Sequence, residues 1–295
     1  MRITPEQDGF RNDIIVSTIR RSMEALILLG LLATGSAAGI LGALFGLGGG
    51  FIFVPVLMLA FGLAPAEAVA VSLIGIIAGS VGASTVFVDK GAANVRLGLL
   101  LEITTAAGAI IGALIAGLLE DWILMCIFSA VVLYSGMRMA LNPEKVLEPA
   151  EGSDGRFVFS YEGDSGKEVR YEVQNMKGGM ALCTAAGMIS SMTGVGGGAI
   201  KVPLMNLYMH VPIKAASPTS SYMIGITAFS GAITYFLSGT VLLEYAAGIA
   251  IGAFAGSLAG TALSKRIHAK HLRKYFSVLL FVVAVLVLLQ AGGIL

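Results

Sequence analysis

Two stretches of this chain have the makings of an anion site built from backbone. Gly46-Leu47-Gly48-Gly49-Gly50-Phe51-Ile52-Phe53-Val54-Pro55 recurs as Gly194-Val195-Gly196-Gly197-Gly198-Ala199-Ile200-Lys201-Val202-Pro203, at an offset of 148 residues (194 − 46) in a chain of 295. Each copy follows an apolar run and precedes another. Glycine costs about 1 kcal/mol per helix position and proline about 3, so each copy marks a break in a helix. A glycine run just before a half-helix presents the helix's first N–H groups and the positive end of its dipole. It also lets backbone approach a ligand closely and curl into a nest that favours an oxyanion. The candidate binding residues are therefore Gly48, Gly49, Gly50 and Phe51 in the first copy, and Gly196, Gly197 and Gly198 in the second. Two such N-termini facing one another near the bilayer midplane would hold a small anion with no metal and no cofactor.

Nearby side chains extend that chemistry. Lys201 is the only Lys or Arg in the second half-helix. A cation near mid-membrane costs about 2.5–3.5 kcal/mol on insertion scales. It needs a bound anion, a carboxylate, or an interface to which it can snorkel. Its counterpart in the first copy is Phe53, so the site is asymmetric. Asn206 is a second polar candidate, for the ligand or for a helix–helix hydrogen bond. Ser72 matches Ser220 at the same offset, and Thr219 and Ser221 flank Ser220. These hydroxyls either donate to an anion's oxygens or turn back to a carbonyl of the preceding turn. Glu67, Glu102, Glu244, Lys214 and His210 fall at predicted helix ends, where interfacial positions are expected. One carboxylate is a candidate for carrying a coupling proton.

Other chemistries find little support. The three histidines, His210, His268 and His271, make no metal-spaced cluster with acids inside an apolar run, and no G-x-S-x-G elbow occurs, which argues against an enzyme. Cys126 and Cys183 lie inside apolar runs and read as small core residues rather than as a disulfide or metal pair. A net charge of +1 gives no reason to expect a nucleic-acid partner.

The elements that position these residues are membrane helices. Only 13% of the chain is charged and 56% is hydrophobic, against about 25% charged in soluble domains. Several apolar runs reach the roughly 20 residues that cross a bilayer. The expected fold is all-α and integral to the membrane. Residues 1–22 form a polar N-terminal segment. Ser36-Ala37-Ala38 resembles a signal-peptide cleavage site, but the long leader with Glu6, Asp8 and Asp13, and the recurrence of the following run before Gly194, argue for a retained segment. A first transmembrane repeat covers 23–141. It has a helix over Ala25–Phe45, the first break, a half-helix over Phe51–Phe61, and helices over Ala66–Val88, Leu97–Leu119 and Trp122–Ala140. Residues 142–177 are a soluble linker containing a β-hairpin around Gly163-Asp164-Ser165-Gly166. The second repeat, 178–295, has an apolar run over Gly178–Thr193, the second break, and a half-helix from Ala199 to about Met209. Helices over Ile213–Ser238, Val241–Leu263 and Tyr275–Leu289 complete it.

Two four-helix repeats, each with a Gly-broken half-helix, are thus expected. If each half-helix and the helix before it make one net crossing, the basic loops at Lys90/Arg96, 142–177 and Lys265–Lys274 share one side, the cytoplasm. The repeats are then inverted, as in many secondary transporters. Arg2, Arg11, Arg20 and Arg21 count against this orientation. A paired break in matching halves points to a transporter's binding site; a passive anion channel is the alternative.

The two G-x-G-G-G runs, each followed five residues on by Val-Pro, resemble the paired signature of the TauE/SafE sulfite exporter family. Ala215-Ala216-Ser217-Pro218-Thr219-Ser220 is similar to the Ala…Thr-Ser element that follows it there. The first copy departs from it at Val71-Ser72, where Thr-Ser would be usual, and the segment over 142–177 is longer than the bare repeat requires. The resemblance covers about Met23 to Leu289. It implies a multi-pass protein of the bacterial cytoplasmic membrane that moves sulfite, sulfonates such as sulfoacetate, or related sulfur anions. Export is the commoner direction, with protons as the coupling ion.

Overall fold

A computed structural model describes residues 5–116, 120–141, 157–162, 168–264, 266 and 269–292. Ten α-helices and one two-stranded sheet make up these residues. The order is α1 (Pro5–Phe45), α2 (Gly50–Leu59), α3 (Pro65–Asp89), α4 (Val95–Ile115), α5 (Asp121–Leu141), β1 (Val158–Glu162) and β2 (Glu168–Glu172). Then come α6 (Met176–Thr193), α7 (Gly198–Pro203), α8 (Ile213–Leu237), α9 (Leu243–Ser264) and α10 (Ala269–Ala291). The architecture is that of an all-α integral membrane protein. Among the described residues, four helices are long and apolar enough to cross a membrane: Glu24–Phe45 within α1, α3, α4 and α9.

α1 runs unbroken through the boundary expected at residue 22. Its 41 residues at 1.5 Å each make roughly 60 Å, about twice the hydrocarbon thickness. Its apolar part, Glu24–Phe45, is long enough to span, so the polar part projects.

Helices of the two halves pack crosswise. α1 lies along α9, α4 along α6, and α3 meets both α8 and α9. Glycine makes these approaches possible. A Cβ at Gly256 would stand 2.1 Å from the Ser36 carbonyl oxygen, and one at Gly108 would stand 2.1 Å from that of Thr184. Gly260 meets Ile40 as Gly112 meets Met188. In each pair both partners are separated by the same 148 residues. Without a hydrophobic drive between helices in lipid, such backbone contact supplies the packing energy.

The hairpin docks into this bundle rather than lying free of it. β1 and β2 pair antiparallel, with Phe159 opposite Tyr171. Tyr171 is fully buried, and burial pushes its phenol up to about 12. Its hydroxyl accepts from Asn94 Nδ2 at 2.9 Å, while Asn94 Oδ1 caps α4 by accepting from the Leu97 amide. The Gln174 amide donates to the Met209 carbonyl. The hairpin therefore ties the start of α4 to the far end of the second half-helix. Residues 163–167, at its turn, lie outside the described residues.

Gly256→Val or Gly108→Val should force apart the helix pair it joins and lower the detergent-solubilised protein's melting temperature by several degrees or more. Gly79→Ala, whose added Cβ would make only an ordinary 3.7 Å contact with Ala253, should shift it little. Differential scanning fluorimetry distinguishes the outcomes.

Candidate functional site at the crossing of two broken helices

The same backbone pattern forms both breaks. Gly46, Gly48 and Gly49 have φ of 73°, 78° and 86°; Gly194, Gly196 and Gly197 have 66°, 93° and 61°. These left-handed values suit glycine and disfavour residues with a side chain. Each run ends one helix and starts a short one, so its amides leave the regular ladder. Among the described residues the amides of Gly48, Gly49, Val195, Gly196 and Gly197 donate no hydrogen bond. Gly50 and Phe51 occupy the first turn of α2, which no intrahelical carbonyl reaches. The Gly198 amide instead folds back to the Gly196 carbonyl.

The two breaks lie against each other. A Cβ at Gly50 would stand 2.4 Å from the Gly194 carbonyl oxygen, and one at Gly198 would stand 2.1 Å from that of Gly46. Two serines hold the crossing. Ser72 Oγ donates to the Gly194 carbonyl at 2.7 Å, and Ser220 Oγ donates to the Gly46 carbonyl at 2.8 Å. Each half thus binds the other half's break. Ile76 and Ile224, also 148 residues apart and fully buried, pack onto Gly48, with Ile76 reaching Gly50 and Gly196 and Ile224 reaching Gly198. In this conformation the crossing is closed.

Beside Gly48 is a cavity lined by Gly39, Gly42, Gly79, Ser80 and Ser221 among others. It is small, with room for about one water. Ser221 Oγ, buried, has no hydrogen-bond partner here, and Ser80 Oγ donates to the Ser221 carbonyl at 2.5 Å.

A buried polar cluster accompanies the second break. Lys201, one turn into α7, is fully buried, and its Nζ lies 3.3 Å from Glu102 Oε2 of α4. Thr227 of α8 bridges them: Lys201 Nζ donates to Thr227 Oγ1 at 2.5 Å, and that hydroxyl lies 2.5 Å from Glu102 Oε1. The lysine stem passes Gly197, where an added Cβ would be 3.6 Å from Cε and 3.0 Å from Ser190 Oγ. Ser190 Oγ and Ser191 Oγ are buried without partners.

Of the side chains expected at the site, Ser72, Ser220, Ser221 and Lys201 reach the crossing or its edge. Phe51 packs into the apolar cluster beside it. Two others lie elsewhere. Thr219 Oγ1 donates to the Ala215 carbonyl and accepts from the Asn94 amide. Asn206 sits in a π-helical turn, Leu204–Tyr208, following Pro203, and donates to the Val211 carbonyl at 2.9 Å. That is eight residues past Gly198, about 12 Å along the axis.

Sequence reasoning put Glu102 at an interface and overlooked Thr227. The structure corrects both: Glu102 is two turns into α4 and 3% exposed, and Thr227 is 1% exposed. The signal lay in the offset. At 148 residues from Lys201, Thr227 and Glu102 stand Phe53, Gly79 and Ala250, so at each matched pair a polar residue stands opposite an apolar or small one, Lys201 and Thr227 in the second half and Glu102 in the first. Among the described residues, no group of three His, Cys, Asp or Glu gathers as a metal site.

With this geometry in place, comparison with known proteins gives the class. The sulfite exporter TauE/SafE family matches residues 31–287, nearly the whole chain, and the chain belongs to that family of membrane transporters. It is 27% identical over 256 residues to the probable membrane transporter protein YunE of Bacillus subtilis (strain 168), covering 84% of this chain and 91% of that one. A probable membrane transporter protein of Methanocaldococcus jannaschii is 27% identical over 300 residues, covering 92% and 99% of the two chains. Sulfite exporter TauE/SafE family protein 5 of Arabidopsis thaliana is 36% identical over 64 residues, 22% of this chain and 14% of its own. No solved structure gives a significant match.

Breaking one side of the buried pair should cost about 3–5 kcal/mol, and replacing both partners much less. Lys201→Met and Glu102→Gln should each lower the melting temperature, and the double variant should recover part of the loss. Additive losses in a thermal double-mutant cycle would show that the two charges do not interact.

Proposed function

We propose that this chain is a secondary transporter, working as an exporter, of small sulfur-containing oxyanions such as sulfite or organosulfonates resembling sulfoacetate. We place it in the cytoplasmic membrane of a bacterium. The observation that carries this reading is the set of amides left without acceptors where the two breaks meet. Buried N–H groups almost always have partners, and in lipid each one without a partner costs several kcal/mol. An oxyanion offers several acceptor oxygens at once. The glycines let it approach the backbone, the helix N-termini favour its charge, and Lys201 adds a full positive charge one turn away. The family's description as sulfite exporters supports an anion of the sulfur class.

Transport follows by alternating access. The breaks act as paired hinges in two inverted repeats, and rocking of one repeat on the other exposes the crossing to each face of the membrane in turn. Ile76 and Ile224 close over the glycines between those states. This apolar closure favours a gated cycle over an open anion pore, for which a continuous wet path would be needed.

Proteoliposomes loaded with sulfite test the reading. The wild type should release it. Gly48→Ala, whose new methyl would meet Ile224 at 2.7 Å, and Gly197→Ala should slow release about tenfold or more, the cost of losing one charge-assisted hydrogen bond. Gly62→Ala, also at positive φ but with open space around it, should release sulfite as the wild type does. Equal rates in all three variants would overturn the backbone site. Lys201→Ala should weaken sulfite binding about tenfold or more by calorimetry; unchanged affinity would remove Lys201 from the site.

A further inference from the structure

We propose that Glu102 carries the proton of the transport cycle, giving up Lys201 to the incoming anion and taking a proton in exchange. The inference rests on the transport reading above and assigns a residue and a stoichiometry to it.

The argument is one of charge balance in a closed space. Lys201, Glu102 and Thr227 are 0%, 3% and 1% exposed, and they come from three helices, α7, α4 and α8. With no anion present, the ammonium and carboxylate neutralise one another at 3.3 Å. The ammonium belongs to the half-helix whose open amides face the ligand, and its stem runs past Gly197. An anion at that break arrives within reach of Lys201. With a monoanion, hydrogen sulfite or a sulfonate, the cluster would then hold one positive and two negative charges. Buried charge without compensation costs several kcal/mol even after relaxation.

One proton on Glu102 restores neutrality. The carboxylate becomes a carboxylic acid, Lys201 keeps its three protons and turns to the anion, and no covalent bond other than the new O–H changes. Before and after, the cluster's net charge is zero. Thr227 suits both states. Its hydroxyl donates to the ionised carboxylate, and its oxygen accepts from the protonated one while the hydroxyl proton turns to the Met223 carbonyl, 3.2 Å away.

The other groups facing Glu102 do not compete for this role. From α8 there is Thr227, and from α7 Lys201. From α6 there is Cys183, a buried free thiol, and within α4 Thr105 donates to the Leu101 carbonyl. Among these, Glu102 is the one carboxylate. No equivalent pair stands at the first break, since Phe53 and Gly79 in the first half and Ala250 in the second occupy the matching positions. The cycle therefore carries one proton with each monoanion rather than two, an electroneutral symport that runs outward down the anion's own gradient.

Calorimetric titration of the purified protein with sulfite, in buffers of different ionisation enthalpy, counts protons taken up on binding. Sulfite's own protonation is common to every variant and cancels in the difference. Wild type and Glu102→Asp should take up about one proton more per sulfite than Glu102→Gln does. Equal counts would overturn the assignment while leaving the transport reading intact. Absence of sulfite binding by the wild type would bring down both. If Glu102→Gln does not fold, the wild type alone decides. Adding sulfite should produce the carbonyl stretch of a protonated carboxyl in the infrared difference spectrum, and its absence would overturn the proposal.

Discussion

Backbone amides cannot be left open in hydrocarbon, and this chain opens them twice in the same place. Everything around the crossing answers that constraint. The glycines allow the left-handed turns. Ser72 and Ser220 reach across to the carbonyls that the breaks release. Ile76 and Ile224 keep lipid and bulk water from the remaining N–H groups. The two halves do not each build a site and then associate. Each half completes the other's break, so the candidate site lies where they meet.

The halves share a backbone plan but differ in polarity. On the first-copy side the crossing borders a small cavity walled by glycine, alanine and two serines. On the second-copy side the equivalent positions hold Ser190, Ser191 and Thr227, with Lys201 and Glu102 behind them. Space lies on one side of the crossing and charge on the other. A symmetric duplication would give an ion identical surroundings from either direction. The substitutions at Lys201, Glu102 and Thr227 remove that equivalence.

Much of this was legible in the sequence, for reasons that can be named. Long charge-poor runs have few alternatives to spanning helices. The glycine breaks stand out because four glycines and a proline contradict the surrounding helix signal. Ser72 and Ser220 were found by the 148-residue offset alone, although the offset could not show that their first partners are carbonyls of the opposite break. The Lys201–Glu102 pair was hidden because its members are 99 residues apart and only tertiary packing aligns α4 with α7. Placing Glu102 near a predicted helix end made it look interfacial, but it lies two turns into α4, which begins at Val95, and the packing of α6 and α8 on α4 buries the carboxylate. The π-turn at Asn206 comes directly after Pro203, whose missing N–H loosens the ladder, yet Pro55 at the matching position sits inside a regular α2, so the proline alone does not determine it.

The crosswise packing of α1 on α9 and α4 on α6 also has a consequence for biogenesis. The N-terminal helices leave the ribosome well before their partners are made. At about 5–20 residues per second, the 76 residues from Gly108 to Thr184 (184 − 108) and the 220 from Ser36 to Gly256 (256 − 36) correspond to lags of roughly 4 to 44 seconds. During that interval the glycine faces of α1 and α4 have no mate within their own half, and the first break has no serine from α8 to cover it. The nascent first half must wait in the bilayer, open to insertion chaperones or to stray helices, until synthesis of the second half supplies the surfaces on which it closes.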